Sequence, residues 1–219
     1  MTMQSCGMER REFLRPVPES VRTLASKRAD HPTLTISCLK TAQTAPHERI
    51  LATAREMFCR DGIHATGIDR ILAAAGASKM TLYAHFRSKQ ALLQEVLVQE
   101  GAEWRRLFFA ALDGPAPLTR TVIALEAIYD QRPFYGCAFM NAVAEHAKGE
   151  PWLRALAAAH HQEILAVLEG HAAGRPAPAL LARQLLLLLD GAIAALMVSG
   201  DRAVFTVAER TLAAILRDG

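Results

Sequence analysis

The chain has 219 residues, a formal net charge of +3 and 51% hydrophobic residues, enough apolar material for a core in one or two domains. Residues 1–90 hold fourteen Lys and Arg against eight Asp and Glu, whereas residues 91–219 hold eleven against fourteen. The four cysteines form no CxxC pair and show no metal-ligand spacing, which fits a cytoplasmic protein and argues against a metal or another cofactor.

Residues 1–45 mix Pro, Ser, Thr and charge without sustained periodicity, which predicts a mostly disordered arm. The pair Arg10-Arg11 resembles part of a twin-arginine export signal, but no apolar segment follows it, so export is rejected. Two interpretations of the arm stay open. It is either a basic tail or an extension upstream of the functional start.

The strongest local pattern lies at residues 66–89 and predicts two helices joined by a tight turn. Thr66 followed by Asp69 predicts a capping box at the start of the first helix, and Gly76 predicts a left-handed end. That helix is amphipathic, since apolar residues recur at i, i+3, i+4 and i+7, namely Ile68, Ile71, Leu72 and Ala75. Such a pair is a helix-turn-helix, whose second helix enters the major groove of DNA.

The second helix, about residues 79–86, can be capped by Ser78 and has two unlike faces. At about 100° per residue, Leu82 and Phe86 point inward. The opposite side offers groups for base edges and thymine methyls, which are Met80, Thr81 and Ala84. The residues suited to phosphates are Lys79, Tyr83, His85 and Lys89, with Ser88 capping the next helix. The alternative is an ordinary three-helix core with a solvated polar face.

Residues 50–97 resemble the N-terminal domain of TetR/AcrR-type transcriptional regulators. The resemblance runs in order through AREMF, the Gly62 loop, ATGIDRI, the AGASK turn, TLYAHF and SKQALL. It implies that DNA is contacted by Thr66, Lys79, Thr81, Tyr83, His85 and Lys89. Met80 stands where a small residue is common and Gly67 where a hydroxyl residue is common, so the operator sequence stays open.

Almost all of the chain from Ser88 onward has helical periodicity, and no segment alternates like a strand. One long helix is expected to reach Leu112, with Gly101 marking close packing or a bend. Further helices are expected at about 117–131, 136–147, 151–170, 178–199 and 202–217. The apolar run at residues 179–198 contains Arg183 and Asp190, so a buried helix is favoured over a membrane span.

The predicted fold is therefore all-α. It consists of a helix-turn-helix DNA-binding domain of three helices over residues 46–90 and a helical effector-binding and dimerisation domain over residues 91–219. Apolar walls with a few polar groups suit a small-molecule pocket. The tentative lining residues are Trp104, Phe108, Phe139, Asn141 and His146. The alternative is that these residues belong to an ordinary hydrophobic core.

Apolar stripes in the two Ala/Leu-rich helices would form core in a monomer, whereas the family resemblance implies pairing with a two-fold mate. A dimer also spans half-sites about 34 Å apart. These features favour a repressor that binds a palindromic operator in double-stranded DNA as a homodimer. A small-molecule effector would release it by pivoting the helix at residues 88–112.

Two other functions stay open: an architectural DNA-binding protein without an effector, and a metal or redox sensor using Cys137 or the His160-His161 region. An enzyme is not expected. The HHxE segment at residues 160–163 lacks the i, i+4 histidine pairing of HExxH, and no nucleophile elbow, phosphate loop or paired-carboxylate motif occurs.

Overall fold

The computed structural model describes residues 45–130, 134–146 and 150–218, and this part of the chain is helical with no strand, as the sequence predicts. Its α-helices are α1 (Pro46–Asp61), α2 (Ile68–Ala75), α3 (Lys79–His85), α4 (Lys89–Leu112), α5 (Thr121–Asp130), α6 (Ala138–His146), α7 (Pro151–His171), α8 (Pro178–Ser199) and α9 (Ala203–Asp218). The arm predicted at residues 1–45 lies outside the described residues except for Ala45. The described helices belong to one compact unit, and the domain boundary near residue 90 stays a prediction.

Helices α1, α2 and α3 form a small layer in which α1 packs against both members of the helix-turn-helix. Their shared core is aliphatic and aromatic, and it comprises Ile50, Ala54, Phe58, Ile71, Leu72, Leu82 and Phe86. The same cluster continues into α4, α6 and α7 through Leu92, Val96, Phe139, Ala142 and Leu153. The helix-turn-helix therefore shares a core with the C-terminal half.

Two of the predicted helix starts are confirmed by side-chain caps. Ser78 Oγ accepts the amide of Thr81 at 3.0 Å, and Ser88 Oγ accepts the amide of Ala91 at 3.1 Å. The predicted left-handed end of α2 is also confirmed, since Gly76 has φ +60°. These local signals fix the turn before α3 and the start of α4.

Helix α4 is the longest described helix at 24 residues, or about 36 Å. It packs on α1 at its N-terminal part and on α5, α6 and α7 further along. The close packing predicted at Gly101 is confirmed, because a Cβ there would lie 2.9 Å from Cζ of Phe139. The aromatic ring of α6 thus sits directly against the backbone of α4.

The remaining helices build a second core, in which α8 packs between α7 and α9 and also contacts α5. The helix predicted at about 117–131 begins with a separate 3-10 turn, Pro117–Arg120, and Ala116 before it is left-handed (φ 53°). Helix α8 is long and apolar enough to cross a membrane by length and composition. Its core-facing residues nevertheless contribute to the protein interior, as predicted, and include Leu181, Leu185, Leu189, Ile193 and Leu196.

Candidate DNA-binding surface and effector region

Helix α3 presents two opposite faces, as its sequence predicts. Leu82 is completely buried, and Phe86, directly after the helix, is 2% exposed. On the other side Met80 is 82% exposed and Tyr83 is 53% exposed, with Ala84 and Lys79 also exposed. A seven-residue helix that hides one apolar side and leaves an aromatic, a methionine and a cation in solvent has the form of a groove-reading helix.

Neighbouring side chains hold parts of this surface in place. The hydroxyls of Thr81 and Ser78 lie 2.8 Å apart, so the cap also orients the threonine that we expect at a base edge. Lys79 Nζ lies 2.8 Å from Asp69 of α2, an exposed pair that contributes little to stability. A phosphate can compete with Asp69 for this ammonium group.

His85 belongs to a ring cluster at the end of α3. Its ring packs edge-on to His47 of α1 with centroids 5.4 Å apart, and His47 stacks on Phe86 at 4.8 Å. His47 in turn lies 3.1 Å from Glu95 of α4. His85 is exposed, so the cluster orients its ring without burying it.

The prediction for Thr66 is wrong. Its side chain is fully buried, and its hydroxyl donates to the carbonyl of Gly62 at 2.7 Å. The predicted capping box is also absent, because Gly67 is the residue before α2 and no side chain caps that start. Thr66 therefore shapes the loop between α1 and α2 and does not offer its hydroxyl to DNA.

Lys89 is also bound within the protein. Its ammonium group donates to the carbonyl of Ile63 at 2.5 Å and lies over the ring of Phe58. Burial lowers the pKa of Lys89, and the nearby Glu145 carboxylate partly offsets that effect. The predicted phosphate contact would require Lys89 to break its hydrogen bond to the Ile63 carbonyl in the loop. Arg87, exposed two residues after the end of α3, is a further cation that was not selected from the sequence.

The five tentative effector residues do not lie together. Trp104 and Phe108 stack with centroids 4.7 Å apart, and Phe139 stacks on His160 at 4.3 Å, with His160 also edge-on to Trp104. Asn141 instead donates to the carbonyl of Tyr135 at 2.7 Å. His146 lies at the end of α6 beside His64, a residue of the loop between α1 and α2. The single predicted lining is thus divided among three places.

His160 is the polar centre of the aromatic group that it forms with Trp104 and Phe139. The guanidinium of Arg105 donates to its Nδ1 at 2.9 Å, and Arg105 also pairs with Glu163 at 2.6 Å. Burial, and then the positive charge of Arg105, lower the pKa of His160 to about 4. A neutral imidazole beside a fixed guanidinium among aromatic rings can bind an acidic or hydrogen-bonding group.

The structure gives little support to the sensor alternatives. Burial raises the pKa of the Cys137 thiol, whereas redox-sensing cysteines have a lowered one. The guanidinium of Arg105 on His160 opposes a metal cation at the His160-His161 region.

An open groove of about 510 Å³ lies along α1, α4 and α5, and contains none of the five tentative residues. Its lining combines charged or polar residues with aliphatic ones and comprises Arg55, Gln99, Ala102, Glu103, Arg106, Leu107 and Ile128. Arg55 also pairs with the buried Glu100 of α4. This groove touches both the helix-turn-helix layer and the C-terminal helices.

A contact between α6 and the α1–α2 loop was not predicted from the sequence. The carboxylate of Glu145 accepts the amide of Ile63 at 2.8 Å and that of His64 at 2.9 Å. Its partner lies 81 residues away in the chain, so no local periodicity could indicate it.

Comparison with known proteins agrees with this architecture. The family described as bacterial regulatory proteins, tetR family, matches residues 50–96. The regulator UidR of Escherichia coli is 37% identical over 62 residues, which cover 28% of this chain and 32% of UidR. The transcriptional activator FasR of Mycolicibacterium smegmatis is 47% identical over 49 residues, which cover 22% of each chain. The match thus spans a third or less of these curated relatives.

A solved structure extends the similarity beyond the helix-turn-helix. SCO4454, a TetR-family transcriptional regulator from Streptomyces coelicolor, superposes with a TM-score of 0.73 and 32% sequence identity. The alignment covers 79% of this chain and 95% of that protein, so it includes the C-terminal helices as well as the DNA-reading ones. The chain therefore belongs to the TetR family of bacterial regulatory proteins.

Proposed function

We propose that the protein is a cytoplasmic transcriptional repressor that binds a palindromic operator as a homodimer and is released by a small-molecule effector. The observation that carries the proposal is the exposed face of α3. Its anchor Leu82 is buried while Met80 and Tyr83 project into solvent, so the face is free to enter a major groove.

The division of labour on this face follows from chemistry. Thr81, Met80 and Ala84 suit base edges and thymine methyls, which carry sequence information. Lys79 and Tyr83 suit phosphates, which hold the protein in register. His85 is a further phosphate candidate, since its ring is exposed at the end of the helix.

Dimerisation is supported by the outward face of α8. Leu180, Leu187 and Val198 are 56%, 74% and 86% exposed, and they recur at helical spacing with Gly191 and Ala194 between the last two. An aliphatic stripe of this kind on a long helix suits the matching helix of a second copy. Two copies would present two recognition helices to successive major grooves.

We place the effector among Trp104, Phe108, Phe139 and the His160–Arg105 pair. Helix α4 carries Trp104 and Phe108, and its first turns pack on α1, so a ligand that displaces the aromatic rings would move the helix-turn-helix as well. The Glu145 contact provides a second mechanical link, because it attaches α6 to the loop that precedes α2. Ligand binding then changes the population of the DNA-competent dimer.

A footprinting experiment tests the function directly. DNA flanking the protein's own coding region is incubated with the purified full chain, and protection of one short palindrome is expected. Protection spread evenly along all fragments would contradict the proposal and indicate architectural binding instead.

Substitutions then test the recognition face by fluorescence anisotropy on the footprinted site and on single-base variants. Tyr83→Ala should weaken binding to all sites about equally, whereas Thr81→Ala should change the preference at one position by about 1–3 kcal/mol. Glu48→Gln, an exposed change in the first turn of α1, is the matched control and should leave affinity unchanged. Equal losses from Thr81→Ala on every sequence would refute the assignment.

A further inference from the structure

Three potential metal ligands meet where α6 contacts the loop between α1 and α2. His64, Glu145 and His146 each offer one ligand atom, and these atoms lie within 4.8 Å of one another. Two of the residues are adjacent in sequence, and the third lies some 80 residues earlier, so only the tertiary structure assembles them. Two imidazoles and one carboxylate are a ligand set typical of zinc.

His146 supplies the strongest reason to expect a ligand here. Its Nε2 is buried and has no hydrogen-bond partner among the described residues. A buried polar atom without a partner destabilises the fold, so such atoms are rare unless something else binds them. The centroids of the His64 and His146 rings lie 4.3 Å apart at a tilt of 33°, so a second imidazole lies beside the His146 ring.

His64 makes one hydrogen bond that leaves its other ring nitrogen available to a metal. Its Nε2 lies 3.1 Å from the backbone carbonyl of Glu145, which can only accept a hydrogen bond. With the proton on Nε2, Nδ1 carries the lone pair that a metal needs. Metal-binding histidines commonly donate their second nitrogen to a carbonyl in this way.

The Glu145 carboxylate has room for a metal in addition to its present bonds. It accepts the amides of Ile63 and His64, and a carboxylate has about four lone-pair sites. A tetrahedral zinc ion at about 2.0–2.2 Å from each ligand holds its ligand atoms about 3.4 Å apart, so binding would draw together atoms that now lie within 4.8 Å of one another. Such a three-residue set leaves a fourth position for water or another small ligand.

We propose that His64, Glu145 and His146 form a site for a divalent transition-metal ion, with zinc as the best fit, across the contact between the helix-turn-helix layer and α6. Because a bound ion would tie the α1–α2 loop to the C-terminal helices, occupancy is coupled to operator affinity. This coupling rests on the proposed function, whereas metal binding itself does not.

The test is a titration of the untagged full chain with Zn²⁺ alone, followed by calorimetry and by equilibrium dialysis. Wild type should bind one ion per chain. The affinity for this ion should fall at least about tenfold in each of His64→Gln, Glu145→Gln and His146→Gln. His171→Gln, an exposed histidine at the end of α7, is the matched control and should keep the ion. Thermal melts without metal check that each variant folds.

A Co²⁺ titration gives a readout that does not depend on the variants. Nitrogen and oxygen ligands should produce visible d–d bands without the near-ultraviolet charge-transfer band of a cobalt–sulfur bond. Absence of binding, a sulfur band, or equal affinity in wild type and the three variants would overturn the site. Unchanged operator affinity with the site filled would overturn the coupling, while a failed footprint with zinc bound would leave the site intact.

Discussion

Helices α3 and α8 expose residues of opposite kinds on their outward faces. In α3 the exposed side combines a cation, an aromatic ring and a methionine around buried Leu82. In α8 the exposed side is aliphatic, with Leu187 and Val198 almost entirely in solvent although the opposite side fills the main core. Polyanionic DNA suits the first face, and only another apolar surface suits the second.

This difference shows that the residues exposed on a helix indicate its binding partner better than its helical periodicity does. Helix α3 buries Leu82, with Phe86 four residues later, and α8 buries leucines at helical spacing, so the buried sides alone do not indicate different partners. The two helices differ in the residues that stay exposed once their buried sides are packed in the core. The following predictions test the two faces and then the region between them.

The largest effect is expected on the α8 face. Leu187→Glu would place a carboxylate in the proposed dimer interface without a partner, at a cost of roughly 3–5 kcal/mol. The dimer dissociation constant should then rise by at least about two orders of magnitude. Light scattering after gel filtration should show this as a shift from dimer to monomer.

Val98→Glu, on an exposed apolar residue of α4 that is 48% accessible, is the control for the α8 substitution and should remain dimeric. If Leu187→Glu stays dimeric as well, the exposed stripe of α8 is not the interface. The exposed face of α8 would then have no assigned partner.

The inward face of α3 should respond nearly as strongly. Leu82→Ala removes a fully buried side chain and is expected to lower the free energy of unfolding by about 2–5 kcal/mol. Met80→Ala, on the exposed side of the same helix, should change it by no more than about 0.5 kcal/mol. Urea denaturation followed by circular dichroism measures both, and similar losses would mean that the helix is docked the other way round.

A pH effect should distinguish the effector region from both faces. The pKa of His160 is about 4 in the folded protein against an ordinary value of 6.5. As the pH falls, the unfolded chain therefore binds this proton before the folded protein does. The stability that comes from keeping His160 neutral is fully present above pH 6.5. That contribution, about 1–3 kcal/mol, is lost as the pH falls from 6.5 to 4.

His160→Gln, which keeps a hydrogen-bond acceptor for Arg105, should make the unfolding free energy less dependent on pH in that window. The exposed His171→Gln serves as the control, and its pH profile should follow wild type. Denaturation at a series of pH values provides the measurement. Parallel curves for wild type and His160→Gln would show that His160 is not held neutral by its surroundings.

The sequence alone determined the features that depend on neighbouring residues. Ser78, Gly76 and Ser88 fix the turn and both helix starts through bonds spanning a few residues, so α3 and its two faces could be predicted. The helix positions in the C-terminal half followed from periodicity and from Gly/Pro breaks. Thr66 was misassigned because its hydroxyl found a loop carbonyl, a competition that a capping pattern does not reveal.

Only the tertiary structure decided how distant segments meet. Asn141 and His146 share a helix with Phe139 but face different neighbours, so one supposed pocket became three separate environments. The Glu145 bonds to the α1–α2 loop join residues about 80 positions apart, which no local rule constrains. Local hydrogen bonding and periodicity specify helices, whereas the packing of one helix on another depends on the whole set of side-chain shapes and polar groups that must be satisfied together.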